Sequence, residues 1–465
     1  MIVILDSNIE NKNSSQFFHG IEDLNMDDGK NRIDYKVIGR TARKRRIAIV
    51  LIGERINPQL KIFIMAGQHG DERYSRKAAE RLISYLIKTK AKESPKNCIA
   101  ILSNANPDGA YKNKRRTSYG IDMNRDHLML ISEENRAIHS FIRSWKPNLI
   151  VDVHNYPPKR KYLEEKNYVF YHDVFVDTAS NLAIQKRLDQ DKLKSLIQDI
   201  QSDLNQFNYS CERYALINKE GRVRHSTHDI IDARNFLSLR YNAFTILLEA
   251  REPLREERKN GRDRTISAQY EALLSILKWA TKNTDFLLEN SNTLTSKKRD
   301  LIPIRCKYIP SEQPFRMNFK NTKTNQIEEV TLPKYESDIR ATKHIRLPSV
   351  YAVPTDKNSI IEFLHNHGFT SERIQDNSKL QAVQKYLILS LDPPKVEGRS
   401  AINVLLIRNK QQQDLSNYEI FFVNQEGGHS LALLLEPQSE YGLHKYKDLN
   451  LTLEPGLEYP ILRVV

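Results

Sequence analysis

The chain has 465 residues, 39% hydrophobic and 8% aromatic, with 16 glycines and 18 prolines; this is enough apolar mass for two or three packed domains and excludes disordered, collagen-like and low-complexity chains. Three cysteines, Cys98, Cys211 and Cys306, stand far apart without a CxxC pair, which excludes a disulfide scaffold and a thiolate zinc finger. Lys and Arg exceed Asp and Glu by 72 to 58, a net charge of +14, but the basic clusters Arg43–Arg46, Lys112–Arg116 and Lys159–Lys161 lack the aromatic interleaving of a nucleic-acid surface, so no nucleic-acid partner is expected.

The first thirty residues turn acidic and polar after five apolar positions, without the basic start and apolar stretch of a cleaved signal. Ile47–Ile52 is typical of the longest apolar runs and is far too short to span a bilayer. A cytoplasmic protein with no membrane partner is expected. After an N-terminal extension (1–33), strand-like runs occur at Tyr35–Ile38, Ile47–Ile52, Lys61–Ala66, Cys98–Ser103, Leu149–His154, Val169–His172 and Phe244–Glu249. Helical periodicity runs through Arg73–Ile87, Glu133–Trp145, Leu182–Phe207 and Ile266–Lys282. Short apolar strands alternating with amphipathic helices predict an α/β domain over 34–288, with a mixed, mostly parallel sheet flanked by helices. In such sheets the functional loops gather at the carboxyl ends of the strands.

The polar stretch Glu289–Asp300 marks a boundary. Beyond it, residues 300–465 read as a smaller β-rich α+β domain. Its elements are short strands in Ile302–Pro310, Phe315–Asn321 and Glu328–Tyr335, a helix at Asn358–His367, and strands at Val404–Arg408, Tyr418–Val423, Leu431–Leu435 and Tyr459–Val464.

Chemistry concentrates in the first domain. IFIMAGQHGDER sets His69 and Glu72 between a strand and a helix, where an i, i+3 pair can aim an imidazole and a carboxylate at one point. NLIVDVHNY ends an apolar strand with Asp152 and then His154, on the same rim. Two histidines, one carboxylate and an open fourth position suit a catalytic zinc ion. Glu249, at the end of NAFTILLEAR, is a proton acceptor that has to face a cleft, because a carboxylate in an apolar strand is costly to bury. Alternatively it is a strand-end Glu paired with Arg251. Between these runs, Asn106-Pro107-Asp108-Gly109 is turn chemistry. Asn124 and Arg125 supply an amide and a guanidinium fork for a carboxylate. Asp122 can hold the free ring nitrogen of a zinc-bound histidine.

Taken in order, HGDE, NPDG, a basic stretch before GIDMNR, DVH and a strand ending in Glu resemble the zinc carboxypeptidase family (carboxypeptidase A-like) over about residues 35–285. The resemblance implies one zinc ion on His69, Glu72 and His154, Glu249 as general base, Asn124 and Arg125 on the substrate's terminal carboxylate, and a peptide substrate. Arg115 corresponds best to the arginine that stabilises the oxyanion, with Arg116 as the near alternative. Counting back about fifteen positions from Glu249 without gaps gives Arg234 at the floor of the pocket for the terminal side chain, which implies a preference for acidic C-terminal residues; alternatively Arg234 is a surface arginine, or a shifted register puts Arg240 or Asn235 in its place. The segments LPSVYAVP, LHNHGF and LALLLEPQSEYGL are similar to the accessory domain of some bacterial members.

One departure stands out. The family's mobile tyrosine, about twenty residues before the catalytic Glu, falls here in RHSTHDIIDARNF, which has none. His225, Thr227 or His228 are the candidate replacements, or the role is absent, and Tyr241 is nearer the Glu. Two further readings stay open: a same-fold amidase or deacylase acting on N-acyl amino acids or cell-wall peptides, and an inactive peptide-binding protein. His365 and His367 read as caps of a helix end before Gly368 rather than as metal ligands.

Overall fold

The computed structural model describes residues 33–89, 96–187, 190–225, 227–292, 301–374, 381–391, 402–449 and 451–464. The N-terminal extension up to residue 32 and most of the polar boundary lie outside them. Eight strands form one sheet: β1 (Ile33–Arg40), β2 (Arg46–Gly53), β3 (Lys61–Ala66), β4 (Cys98–Leu102), β5 (Leu149–Tyr156), β6 (Val174–Thr178), β7 (Cys211–Arg213) and β8 (Phe244–Arg251). Their spatial order is β1-β2-β4-β3-β5-β8-β6-β7. Pairing is parallel for β4–β3, β3–β5, β5–β8 and β6–β7 and antiparallel elsewhere. This is the mixed, mostly parallel sheet that the sequence predicts.

The central strands are apolar at nearly every position because both faces are covered. Ile62 and Ile64 of β3 join one core with helices α1 (Arg73–Thr89), α3 (Gln190–Asn205) and α5 (Arg258–Lys282). Phe63 and Met65, pointing the other way, join a second core with α2 (Glu133–Trp145) and α4 (Ala233–Tyr241). Period-two alternation sends neighbouring side chains to opposite faces.

Several elements differ from expectation. Leu182–Phe207 is two pieces, a 3-10 turn at Leu182–Arg187 and then α3. The expected strand at Val169–His172 is only Tyr168–Phe170, and β6 follows it separately. Two acidic residues obscured β6 in the sequence: Asp173 pairs with Arg264 at 2.6 Å, and the buried Asp177 lies 3.4 Å from Arg213. Leu431–Leu435 is helical rather than extended (Ser430–Leu435). Every side chain of that turn is buried, so an unbroken apolar run carried no period to read.

The C-terminal part is built around a six-stranded sheet and α6 (Asn358–Asn366). It also shares sheets with the first part. Arg222–Arg224 pairs with Lys334–Arg346, and Tyr168–Phe170 pairs with Phe315–Asn321. At the end of α4, Arg240 donates to the carbonyls of His367 (3.0 Å) and Glu426 (2.9 Å) and lies over the Phe369 ring.

Candidate metal centre and active site

The site forms where β3, β5 and β8 reach their carboxyl ends. Ala66 of β3 pairs with Val153 of β5, and His154 of β5 pairs with Glu249 of β8. The chain leaves β3 through Gly67, Gln68 and His69 and enters α1 at Arg73. NPDG supports that loop. Asn106 accepts from the Gly109 amide (2.8 Å) and caps the short helix Pro107–Lys112, while its amide donates to the carbonyls of Gln68 (3.2 Å) and Arg115 (3.3 Å). A Cβ on Gly70 would come within 2.1 Å of the Gly109 carbonyl carbon, so the two motifs meet backbone to backbone. Asp108 gathers Thr41, the Arg43 amide and Arg45, which ties part of the first basic cluster to this loop.

His69, Glu72 and His154 converge, all buried, with one ligand atom from each within 4.8 Å of the others. His69 Nδ1 lies 2.5 Å from Glu72 Oε1, and His154 Nδ1 lies 3.0 Å from Glu72 Oε2. The opposite ring nitrogens are held by carboxylates, His69 Nε2 by Asp122 (3.2 Å) and His154 Nε2 by Asp152 (2.9 Å). Two imidazoles presenting Nδ1 beside one carboxylate, each ring fixed from behind, fit a divalent zinc ion in donor type and number. Burial opposes charging His69, yet Glu72 and Asp122 raise its pKa above the ordinary value. Burial likewise opposes ionising Glu72, and the two histidines outweigh it and hold the carboxyl far below its usual range.

Glu249 stands next to this cluster. Its Oε2 is buried and has no hydrogen-bond partner among the described residues. Burial pushes its pKa up to about 7, with the charge of Glu72 adding to the rise and His154 opposing it. The paired Arg251 of the alternative reading instead binds Glu257 (3.0 Å).

The other expected residues divide. Arg115 reaches the cluster: its Nε donates to Asp122 (3.0 Å), and its Nη1 is 3.9 Å from Glu72. Arg116 does not. It donates to the Gly120 carbonyl (2.9 Å) and lines a separate basic cavity with Lys112 and Lys114. Asn124, Arg125, Arg234 and Glu249 line one cavity together with Asp152, Tyr214, Thr227 and Asp232. Within it Arg234 donates to the Thr227 carbonyl (2.7 Å) and lies 3.5 Å from Asp232 and 3.7 Å from Asp177. Among the candidates for the missing tyrosine, Tyr241 is turned into the core against His139, His228 faces Glu440, and His225 binds the Tyr214 carbonyl and the Tyr335 hydroxyl. Sequence reading missed Tyr214, which carries no motif, and the part played by Gln68, the residue before His69.

Residues 23–157 match the family model described as zinc carboxypeptidase. Residues 23–157 thus carry the zinc carboxypeptidase domain that the sequence motifs resemble, a family of peptide hydrolases. Among curated proteins it is similar to "Carboxypeptidase 2" of Trichophyton tonsurans, 23% identical over 87% of this chain and 77% of that protein. It is also similar to "Carboxypeptidase 2" of Trichophyton rubrum, 28% identical over 28% of this chain and a quarter (25%) of that protein. A solved metallo-carboxypeptidase from Burkholderia cenocepacia superposes with a TM-score of 0.45 at 17% identity, over 58% of this chain and 68% of that one.

Proposed function

We propose that this chain is a zinc-dependent metallocarboxypeptidase that hydrolyses the C-terminal peptide bond of a peptide. The observation that carries the reading is the buried His69–Glu72–His154 cluster with Glu249 beside it, its Oε2 unpartnered among the described residues and its pKa near neutral. A zinc ion held by His69, Glu72 and His154 supplies Lewis acidity and lowers the pKa of water. Glu249 is the proton carrier, accepting a proton in the cleft and returning it to the departing amine. A carboxyl group near pH 7 suits both directions of transfer. Arg115 presents a guanidinium from which the developing oxyanion draws stabilisation. Asn124 and Arg125 orient the substrate through its terminal carboxylate.

The pocket for the terminal side chain contains Arg234, and on that basis we propose an acidic preference. One observation favours a second reading, a pocket for uncharged polar side chains. Asp232 lines the same cavity, and Asp232 and Asp177 together flank the guanidinium. The test of the function itself is mass spectrometry of a peptide mixture incubated with zinc-loaded protein. Loss of single C-terminal residues is expected. Release of an acyl group with the peptide chain intact, or no change at all, would discard the peptidase reading.

A further inference from the structure

From Asp152, in the lining of the cavity beside the metal cluster, buried polar side chains run inward in an unbroken line. Gln68 Nε2 is 2.6 Å from Asp152 Oδ1, and Gln68 Oε1 is 2.7 Å from His127 Nε2. His127 Nδ1 is 3.0 Å from His139 Nε2, and His139 Nδ1 is 2.9 Å from the Tyr241 hydroxyl. Gln68, His127 and His139 are all at most 1% exposed.

The carboxylate at one end decides the direction of every bond. Asp152 only accepts, so the Gln68 amide nitrogen faces it as donor and the Gln68 oxygen faces His127. His127 must then donate from Nε2. Burial depresses the pKa values of both histidines, that of His127 to about 4, so each neutral ring carries one N–H. His127 Nδ1 therefore accepts from His139 Nε2–H, and His139 Nδ1 accepts from the Tyr241 hydroxyl. Reversing any link would oppose two donors or two acceptors at hydrogen-bond distance.

We infer that Tyr241, His139, His127 and Gln68 form a one-way chain of donors that positions Asp152 to accept the Nε2 proton of His154, leaving Nδ1 of that ring for the metal. The inference rests on the reading of His154 as a metal ligand. The amides of Asn124 and Gln68 also approach His154 Nε2, at 3.2 and 3.4 Å. Both are donors, so Asp152 at 2.9 Å is the acceptor for that proton.

The outer end of the chain is held by the C-terminal part. Tyr241 closes α4, where Arg240 is tied to the carbonyls of His367 and Glu426. The His367 ring packs against His139 and Phe236 (5.8 and 5.0 Å between centroids) and is anchored at Nε2 to the Leu128 carbonyl at 2.8 Å. The C-terminal part thus acquires a role in the chemistry: it fixes the register of positioning residues that end at a metal ligand.

The test uses the full chain with 15N-labelled histidine. NMR at pH 7, with and without zinc, is expected to show His127 and His139 as neutral Nε2–H tautomers. An Nδ1–H tautomer or a protonated ring at either position overturns the chain. Tyr241→Phe, which removes a single hydroxyl from the core, is expected to leave the fold intact and His139 an Nε2–H tautomer, because His127 Nδ1 still accepts from it. A switch of His139 to the Nδ1–H tautomer overturns the assigned direction. Gln68→Met keeps the volume and removes the amide. It is expected to weaken zinc binding about 10–100-fold in chelator competition, the range for residues that orient metal ligands. Unchanged affinity overturns the coupling to the metal. His154→Ala tests the ligand assignment separately, because the tautomers of His127 and His139 are read without zinc.

Discussion

Glu249 and His154 are direct partners in the parallel pairing of β8 with β5. Neighbouring strands lie about 4.8 Å apart, so the register alone brings the proposed proton carrier beside a proposed metal ligand, with no loop interposed. Both residues sit on strands whose flanking positions are buried, and a one-residue slip of β8 would exchange Glu249 for a neighbour facing the opposite side of the sheet.

That rigidity allows chemistry to be separated from binding. Glu249→Gln preserves shape and leaves His69, Glu72 and His154 untouched. Turnover is expected to fall roughly 10²–10⁴-fold, the usual contribution of a general base, while zinc content stays at that of the parent protein. Because Glu249 has to be ionised to accept a proton, kcat/KM of the parent is expected to rise with pH up to about 7 and then level off. Bound zinc can only draw this limb to lower pH. Wild-type turnover in the variant would assign the base to another residue.

Metal removal has its own signature. In the zinc-free chain the histidines are held above their ordinary pKa by Glu72, Asp122 and Asp152, so zinc has to displace protons from the site. Calorimetry of zinc binding near pH 7 in buffers of different ionisation heat is expected to report net proton release. His154→Ala is expected to reduce zinc occupancy to a small fraction of that of the parent. Full occupancy in that variant would refute the ligand set.

How legible the site was in the sequence follows from which signals are local. HGDE, DVH and the strand ending in Glu249 could be read because strand periodicity places a residue on a rim without knowledge of its partners. Asp122 could be read as the holder of a histidine because its spacing from Asn124 and Arg125 belongs to one loop. The link from Asp152 through Gln68 to His127 and His139 could not, since its members come from β5, the loop after β3, the turn before α2, and α2 itself. Arg115 and Arg116 are near equivalents by position in the sequence, but loop geometry sends Arg115 to Asp122 and Arg116 to the Gly120 carbonyl. In the C-terminal part, the placing of His367 at a helix end was legible, and its inward-turned ring was not.

Glu134 offers a test of stability independent of the active site. It lies in the first turn of α2 and is 1% exposed, with Oε1 unpartnered among the described residues. Burial foremost, with Glu133, Asp108 and Asp126 nearby, pushes its pKa up to about 7. A group whose pKa is higher in the folded chain stabilises it fully below the unfolded value, and that contribution is lost as the pH rises through about 7. Glu134→Gln is expected to raise the stability read from urea unfolding at pH 8 by an amount on the order of 2 kcal/mol or more, at about 1.4 kcal/mol per pKa unit, and to change it little at pH 4. An equal effect at both pH values would show that Glu134 is not protonated in the fold.

Arg234 is 3% exposed and lines the cavity that also holds Glu249. A carboxylate entering the pocket can pair with its guanidinium, whereas an ammonium there meets a buried like charge. Asp232 and Asp177, which flank the guanidinium, work against this selectivity, and burial raises the pKa of Asp232 above the ordinary value while Arg234 opposes the rise. Peptides differing only in a C-terminal Glu, Asp, Leu, Phe or Lys should rank with Glu and Asp first and Lys last by kcat/KM. Arg234→Gln, which retains a donor for the Thr227 carbonyl, should narrow the ratio of Glu to Lys by about 10-fold or more, equivalent to about 1.4 kcal/mol. The converse substitution, Asp232→Asn, removes the opposing carboxylate and should widen that ratio. A parent enzyme that favours Leu or Lys, or an unchanged ranking in Arg234→Gln, would assign the pocket floor to other residues and leave the uncharged polar reading in its place.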